Sequence, residues 1–368
     1  MAEDRPNYLS RLLAFFSWRR WGIIRYNSTW QNLAGLFYIA QDERLFALTF
    51  IGQVGLFLLF STLMTGYGYL INDLADVGLD RSHGKPNFFH RWDRNTPQKR
   101  LLWIPISVLV GGVLFALPFL GRAWFVVLWL AWILLTTSYS LPPLRLKERG
   151  LVGLLATIAA QQTLPTMLVF AAFGELLSWG ALVFGVFATA RGISSDLGHQ
   201  MRDWSHDVDT GTTTFAVRAG RDTTQTSYAI SLEAERLALG CVIALLFFDL
   251  PAVVVPLLGW RVAPAGLLVL IYVPLLALTI GRSWRARRQK RLPSHDPYSE
   301  ERQAQVKDAV YIIHHPFPSV VLPLYLAIWL TLFYWPNLVF IIVIALLYRL
   351  YDPKRWASVL GLRTRFAR

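Results

Sequence analysis

Seven aspartates in two short stretches carry the residue types from which chemistry could be built. The first stretch reads YGYLINDLADVGLDRSHGKPN and holds Asp73, Asp76 and Asp80. If a helix runs through it, offsets of 0, 3 and 7 residues at about 100° each put the three carboxylates within roughly 60° of one another. Like charges one turn apart repel by a few tenths of a kcal/mol when exposed, and by more where the dielectric is low. A cation is therefore expected between them. The second stretch, GISSDLGHQMRDWSHDVDTGTTTFAVRAG, repeats the pattern: Asp203 and Asp207 are one turn apart, Asp196 falls two turns earlier on the same face, and Asp209 points elsewhere. Hard divalent cations such as magnesium take oxygen ligands, usually one or two carboxylates, with phosphates and water completing the octahedron. Two acidic faces with magnesium describe a clamp for a diphosphate. Asn72 could add a neutral oxygen ligand or make a helix-end hydrogen bond.

Cations stand close by in the sequence. Arg81 and Lys85 follow the first cluster, Arg202 precedes Asp203, and the loop YSLPPLRLKERG supplies Arg145 and Lys147. Their guanidinium and ammonium groups can neutralise phosphate oxygens and a departing diphosphate, or can serve simply as loop charge. Tyr139 could donate to the same phosphate or belong to an interfacial aromatic belt.

The elements that must position these groups are membrane helices. The chain is 54% hydrophobic yet carries a formal net charge of +13, so apolar and basic residues have to be segregated. The apolar ones fall into runs of about 17 to 25, the length that crosses a hydrocarbon core. Ten candidate spans lie near residues 22–41, 45–71, 102–119, 122–140, 151–173, 176–193, 228–248, 262–281, 318–334 and 337–350. The first is interrupted by Arg25, Asn27 and Asn32, and Trp335 with Pro336 could instead form a re-entrant hairpin, which leaves nine to ten helices in an all-α membrane bundle.

Connections after the even-numbered spans are long or basic, whereas only Arg44, Arg122 and Arg261 sit firmly on the other side. The basic side is the cytoplasmic one by the positive-inside rule, so both acidic clusters emerge there from a multi-pass protein of the inner or plasma membrane. The N-terminus lacks the features of a cleaved signal peptide. The organisation read is a cytoplasmic segment 1–21, a transmembrane domain 22–350 containing a basic cytoplasmic loop 282–316, and a basic tail 351–368. That loop fits charge attraction to anionic headgroups, with substrate gating as the alternative. The single cysteine, Cys241, lies in an apolar run and excludes disulfide and cysteine-metal chemistry. The adjacent His314 and His315 would point to different helix faces, which argues against a shared metal. Segregated basic loops call for a bilayer partner, not a nucleic acid.

NDLADVGLD, DWSHD with GTTTFAVRAG, and YSLPPLRLK together resemble the three loop motifs of the UbiA superfamily of intramembrane prenyltransferases, and occur in the same order. The resemblance implies a helical barrel around a central cavity, with a magnesium-bound prenyl diphosphate under a cytoplasmic cap. Carried over by position, Asn72, Asp73, Asp76 and Asp80 would hold one magnesium and Asp203 and Asp207 a second. Asp73, Asp76, Asp203 and Asp207 are then the catalytic acids. Arg145, Lys147 and Tyr139 would contact the diphosphate, with Arg81, Lys85 and Arg202 as further contacts. RSHGKPN lacks the arginine-proline ending usual in the family, which weakens the assignments of Arg81 and Lys85. Asp196 is an extra acid, and the first helix matches no usual acceptor region.

The activity implied is magnesium-dependent transfer of a prenyl group from a polyprenyl diphosphate to a small, aromatic acceptor. On the same fold, phosphoribosyl transfer to a polyprenyl phosphate or terpene cyclisation are alternatives. A cation-coupled transporter is the alternative of another class, but its site belongs near the bilayer midplane, often at broken helices, and these acids sit at one edge. A phosphatidyl-alcohol transferase would need a D-G pair followed by an A-R pair within one acidic run, and neither cluster has them.

Overall fold

In hydrocarbon a backbone N–H or C=O finds no partner outside its own segment, so long apolar runs bounded by glycine, proline and charge fold as helices. The computed structural model describes residues 30–42, 46–250, 253–255, 260–288, 309–348 and 350. In chain order the helices are α1 (Trp30–Asp42), α2 (Leu48–Ser82), α3 (Gln98–Phe119), α4 (Ala123–Ser140), α5 (Leu151–Phe173) and α6 (Trp179–Asp209). They continue as α7 (Phe215–Ala219), α8 (Arg221–Asp249), α9 (Pro264–Arg288), α10 (Ala309–His314), α11 (Phe317–Phe333) and α12 (Trp335–Leu347). Among the described residues α2, α3, α4, α5 and the 265–285 stretch of α9 are each long and apolar enough to cross a membrane, and α11 and α12 are shorter apolar helices. The protein is an all-α membrane bundle. Its exceptions to helix are loops and one small ribbon, β1 (Val253–Val255) paired antiparallel with β2 (Trp260–Val262) between α8 and α9.

The elements follow the apolar runs with two extensions that matter. Helix α2 runs 35 residues and α6 runs 31, about 52 and 46 Å at 1.5 Å per residue, against a hydrocarbon core of roughly 30 Å. Their last turns must stand clear of the core, and those turns carry the aspartates. Helix α9 continues through Arg288, and α10 is helical, so the polar stretch between them narrows to residues 289–308, which lie outside the described residues along with the N-terminal segment before residue 30 and the tail after residue 350.

Large apolar side chains cover the outside, among them Leu114, Leu134, Leu151, Leu155, Leu182 and Leu270, all more than half exposed. In water such a surface would aggregate, whereas in lipid it is solvated. At the end away from the aspartates the interior is aromatic. Phe57, Phe60, Phe119, Phe125, Trp129 and Phe173 join α2, α3, α4 and α5 through ring contacts with centroids 5.2 to 6.4 Å apart. Small residues set the closest approaches: a Cβ on Gly180 would lie 2.2 Å from the Tyr38 ring, so α1 and α6 meet there only because position 180 is glycine. An outward groove of 430 Å³, lined by Met167, Leu182, Val186 and Ile193 among others, runs between α5, α6 and α8.

Candidate active site

The C-terminal ends of α2 and α6 converge. His83, which caps α2, and His206 on α6 pack edge to face with ring centroids 5.7 Å apart. Between the helices Tyr139, at the end of α4, lies within electrostatic reach of Asp196, Asp76 and Asp207, members of both clusters. The two acidic faces therefore look onto one cleft.

On α2, Asp73 is buried, 3% exposed, and accepts a hydrogen bond from the Phe88 N–H at 3.4 Å. Asp80 accepts from the Asn87 amide at 2.8 Å, and the same Nδ2 donates to the Asp73 carbonyl at 2.6 Å. Asn87 also caps the turn Phe88–Arg91 by accepting from the Phe89 N–H at 2.9 Å, so one side chain fixes the chain that folds back over the first cluster. Asp76 meets cations from the α4–α5 loop: Arg145 Nη2 at 3.0 Å, and Lys147 in direct contact. Lys147 also donates to Asn72 Oδ1 at 3.2 Å, as does the Ser140 hydroxyl at 3.3 Å. The Arg145 backbone is left-handed at φ 36°, after a cis Pro142–Pro143 bond, and its Nε donates to Glu148 at 2.5 Å. Burial pulls the Lys147 ammonium below its ordinary range against the opposing pull of Asp76.

On α6, the Asp203 side chain is 45% exposed, with His199 Nδ1 3.5 Å away. Asp207 accepts from the Thr214 hydroxyl at 3.2 Å, and burial raises its pKa, with neighbouring Asp203 adding to the rise and Thr214 and Lys85 opposing it. Asp196 accepts from Gln200 at 2.8 Å, and Gln200 in turn takes the Ala216 N–H at 3.0 Å.

The expected residues thus divide. Asn72, Asp76, Arg145 and Lys147 are bonded together, Asp73 and Asp80 share Asn87, and Asp196 and Asp207 lie within electrostatic reach of Tyr139, with Asp203 acting on Asp207. Lys85 is exposed at the mouth, where its charge reaches Asp207. Arg81 donates to the Trp92 carbonyl at 3.4 Å. Arg202 is exposed on α6, beside the acidic face and not on it. Asn87, Ser140, Glu148 and Thr214 organise the site without having been singled out from sequence. Asn87 carried a faint signal, as the residue after Pro86 and the N-cap of the next turn.

The donor set is all oxygen and mostly carboxylate, which suits a hard divalent cation and not a soft one. Among the described residues no three Asp, Glu, His or Cys side chains form a metal cage by themselves. Magnesium binds through few carboxylates and completes its shell from phosphate and water, so the residues present fit magnesium carried in with a phosphorylated substrate.

The model of the UbiA prenyltransferase family matches residues 30–296. The chain belongs to the UbiA prenyltransferase family. That stretch contains both acidic helix ends and the loop between α4 and α5. UbiA membership makes the chain a transferase of the intramembrane prenyltransferase kind. No curated protein and no solved structure matches it.

Proposed function

We propose that the protein transfers a prenyl group from a polyprenyl diphosphate to an aromatic acceptor, with magnesium, at the cytoplasmic edge of the membrane. The observation that carries this reading is the convergence of the two carboxylate faces on one cleft, joined by the His83–His206 contact and by Tyr139. In this reading Asn72, Asp73, Asp76 and Asp80 hold one magnesium, and Asp203 and Asp207 hold a second. Bound there, the metal would stabilise the negative charge that develops on a departing diphosphate.

The chain's own groups do the rest. Arg145 and Lys147 already stand against Asp76, so a phosphate ligand and a metal ligand are side by side. Arg145 offers a planar fork and Lys147 a point charge to the diphosphate oxygens, and Tyr139 adds a hydroxyl donor from α4. Arg81, Lys85 and Arg202 supply positive charge around the mouth. The allylic carbon–oxygen bond breaks with its electron pair leaving on the diphosphate. The helices keep water from the cation that remains, and aromatic faces attract it. An aromatic acceptor then captures the cation at the allylic carbon and loses a proton. The basic connections on the acid-bearing side favour a cytoplasmic site.

The test is purified protein in nanodiscs with labelled prenyl diphosphates and candidate aromatic acceptors, with and without EDTA. Diphosphate release and prenylated product that both vanish on chelation are expected. Phosphoribosyl diphosphate consumption, or chelator-insensitive turnover, would replace this reading.

A further inference from the structure

The two loops that cap the cleft lie 65 residues apart in sequence at Glu148 and Thr213, yet they are tied into one body. Gly150, at the end of the α4–α5 loop, donates its N–H to the Thr213 carbonyl at 3.2 Å and pairs with Thr214 as a parallel bridge. The Thr213 hydroxyl donates to the Glu148 carbonyl. Arg218, on α7, lies over this junction, donating Nη2 to the Glu148 carbonyl at 3.3 Å and to Thr213 Oγ1 at 3.4 Å. Position 150 must be glycine for that approach: its φ is +57°, and a Cβ there would stand 2.7 Å from Arg218 Cδ. From the junction two arms lead into the site. Glu148 holds Arg145, which reaches Asp76 of the first cluster, and Thr214 holds Asp207 of the second.

We infer that Arg218 and Gly150 form a clasp that sets the distance between the two aspartate clusters and holds Arg145 and Lys147 at the diphosphate. Arg218 touches none of the acids. It acts through the loop that presents the cations, so it is a positioning residue for the function proposed above, on which this inference rests. One nitrogen, Nη2, reaches both a carbonyl and a hydroxyl on the same loop–loop seam, so a long side chain with several N–H donors is needed there. Groups that orient ligating side chains in this way commonly matter nearly as much as the ligands.

The experiment measures binding of inorganic diphosphate with magnesium to the full chain in nanodiscs by calorimetry, alongside thermal unfolding of each variant. Arg218→Ala should weaken magnesium-diphosphate binding roughly 10- to 100-fold while the unfolding midpoint stays near that of the unchanged chain; Gly150→Ala, strained at φ +57°, should weaken binding as much and also lower the midpoint. Arg218→Lys should recover part of the loss. Combining Arg218→Ala with Arg145→Ala should weaken binding little beyond Arg145→Ala alone, because the two act in series. If the unchanged chain fails to bind magnesium diphosphate, the proposed function falls and the clasp with it. If it binds but Arg218→Ala binds as well, or the two losses simply add, the clasp alone is overturned. A loss matched by a fall in unfolding midpoint would reduce Arg218 to a structural role and also overturn it.

Discussion

Helix α6 carries two ionic regions on different sides, and they obey opposite rules. Toward the cleft it presents Asp196, Asp203 and Asp207, opposite Asp73, Asp76 and Asp80 of α2, with Arg145 and Lys147 bonded among them. Carboxylates outnumber the cations tied to them. About 120° and 180° round the helix from Asp203, at about 100° per residue, Arg191 and Ser194 enter a buried network. Arg191 approaches Glu235 of α8 at 3.7 Å and donates to the His314 carbonyl at 2.6 Å, Ser194 donates to Glu235, and His314 Nδ1 lies 3.0 Å from the same carboxylate. Arg236 donates through Nε to His314 Nε2 at 3.0 Å and through Nη1 to Glu233 and to Ser283, both at 2.9 Å. Here, among the described residues, two arginines face two glutamates. The contrast teaches what excess means: a balanced buried network fixes helices, whereas an acidic surplus at a cleft waits for a cation.

The largest expected effect is on the surplus side. Asp73→Ala or Asp203→Ala should cut magnesium-dependent diphosphate release roughly 10³-fold, the scale seen when a group stabilising transition-state charge is lost, with the protein still extractable in folded form. Full turnover by both variants would erase the distinction between the two sides. On the balanced side Glu235→Ala should act on stability first, lowering it by about 3–5 kcal/mol because Arg191 and His314 are left buried without their carboxylate. Thermal unfolding in detergent reads this directly. Turnover per folded molecule should stay within a few-fold, and a collapse of turnover at unchanged melting temperature would merge the two regions into one.

That contrast was half visible in the chain. The phases of Asp73, Asp76 and Asp80 and of Asp203 and Asp207 follow from helical spacing alone, and the apolar runs fix the helices that carry them, so the acidic faces could be read before any coordinates. Glu235 and His314 could not be joined the same way. They are far apart in sequence, and neither has a local partner that marks it as ionic, so only the packing of α8 against α6 and α10 brings them together. His314 had a possible role as one of an adjacent histidine pair; in the fold it lies between Arg236 and Glu235, while His315 stacks against Tyr311 with centroids 5.5 Å apart. The loop contacts of Glu148, Thr213 and Thr214 were likewise hidden, because a hydrogen bond between two turns leaves no period in either.

A smaller effect separates fixed geometry from mere charge within the cleft. Asn87→Ala removes the one amide shared by the Asp73 carbonyl and Asp80, and with it a helix cap, which should lower stability by about 1 kcal/mol. The magnesium concentration for half-maximal activity should rise, since Asp80 loses the donor that orients it. Asn87→Asp keeps an N-cap for Phe89 but sets a like charge against Asp80, so it should raise the magnesium requirement further. If both variants behave as the unchanged chain, Asp80 is not held for a purpose.

The smallest effect belongs to the rim. Lys85 and Arg202 are exposed at the rim, so their contribution to a diphosphate should be mainly the long-range field. Such a field is screened within about 8 Å at physiological ionic strength. Lys85→Ala and Arg202→Ala should therefore raise KM for a prenyl diphosphate roughly two- to threefold at low salt and hardly at all in 0.5 M salt, with kcat and melting temperature unchanged. Arg145→Ala, by contrast, should keep its deficit at high salt, because its bond to Asp76 at 3.0 Å is a contact that ions in solution cannot replace. A salt-insensitive loss from Lys85 or Arg202 would move that residue from the rim into the clamp.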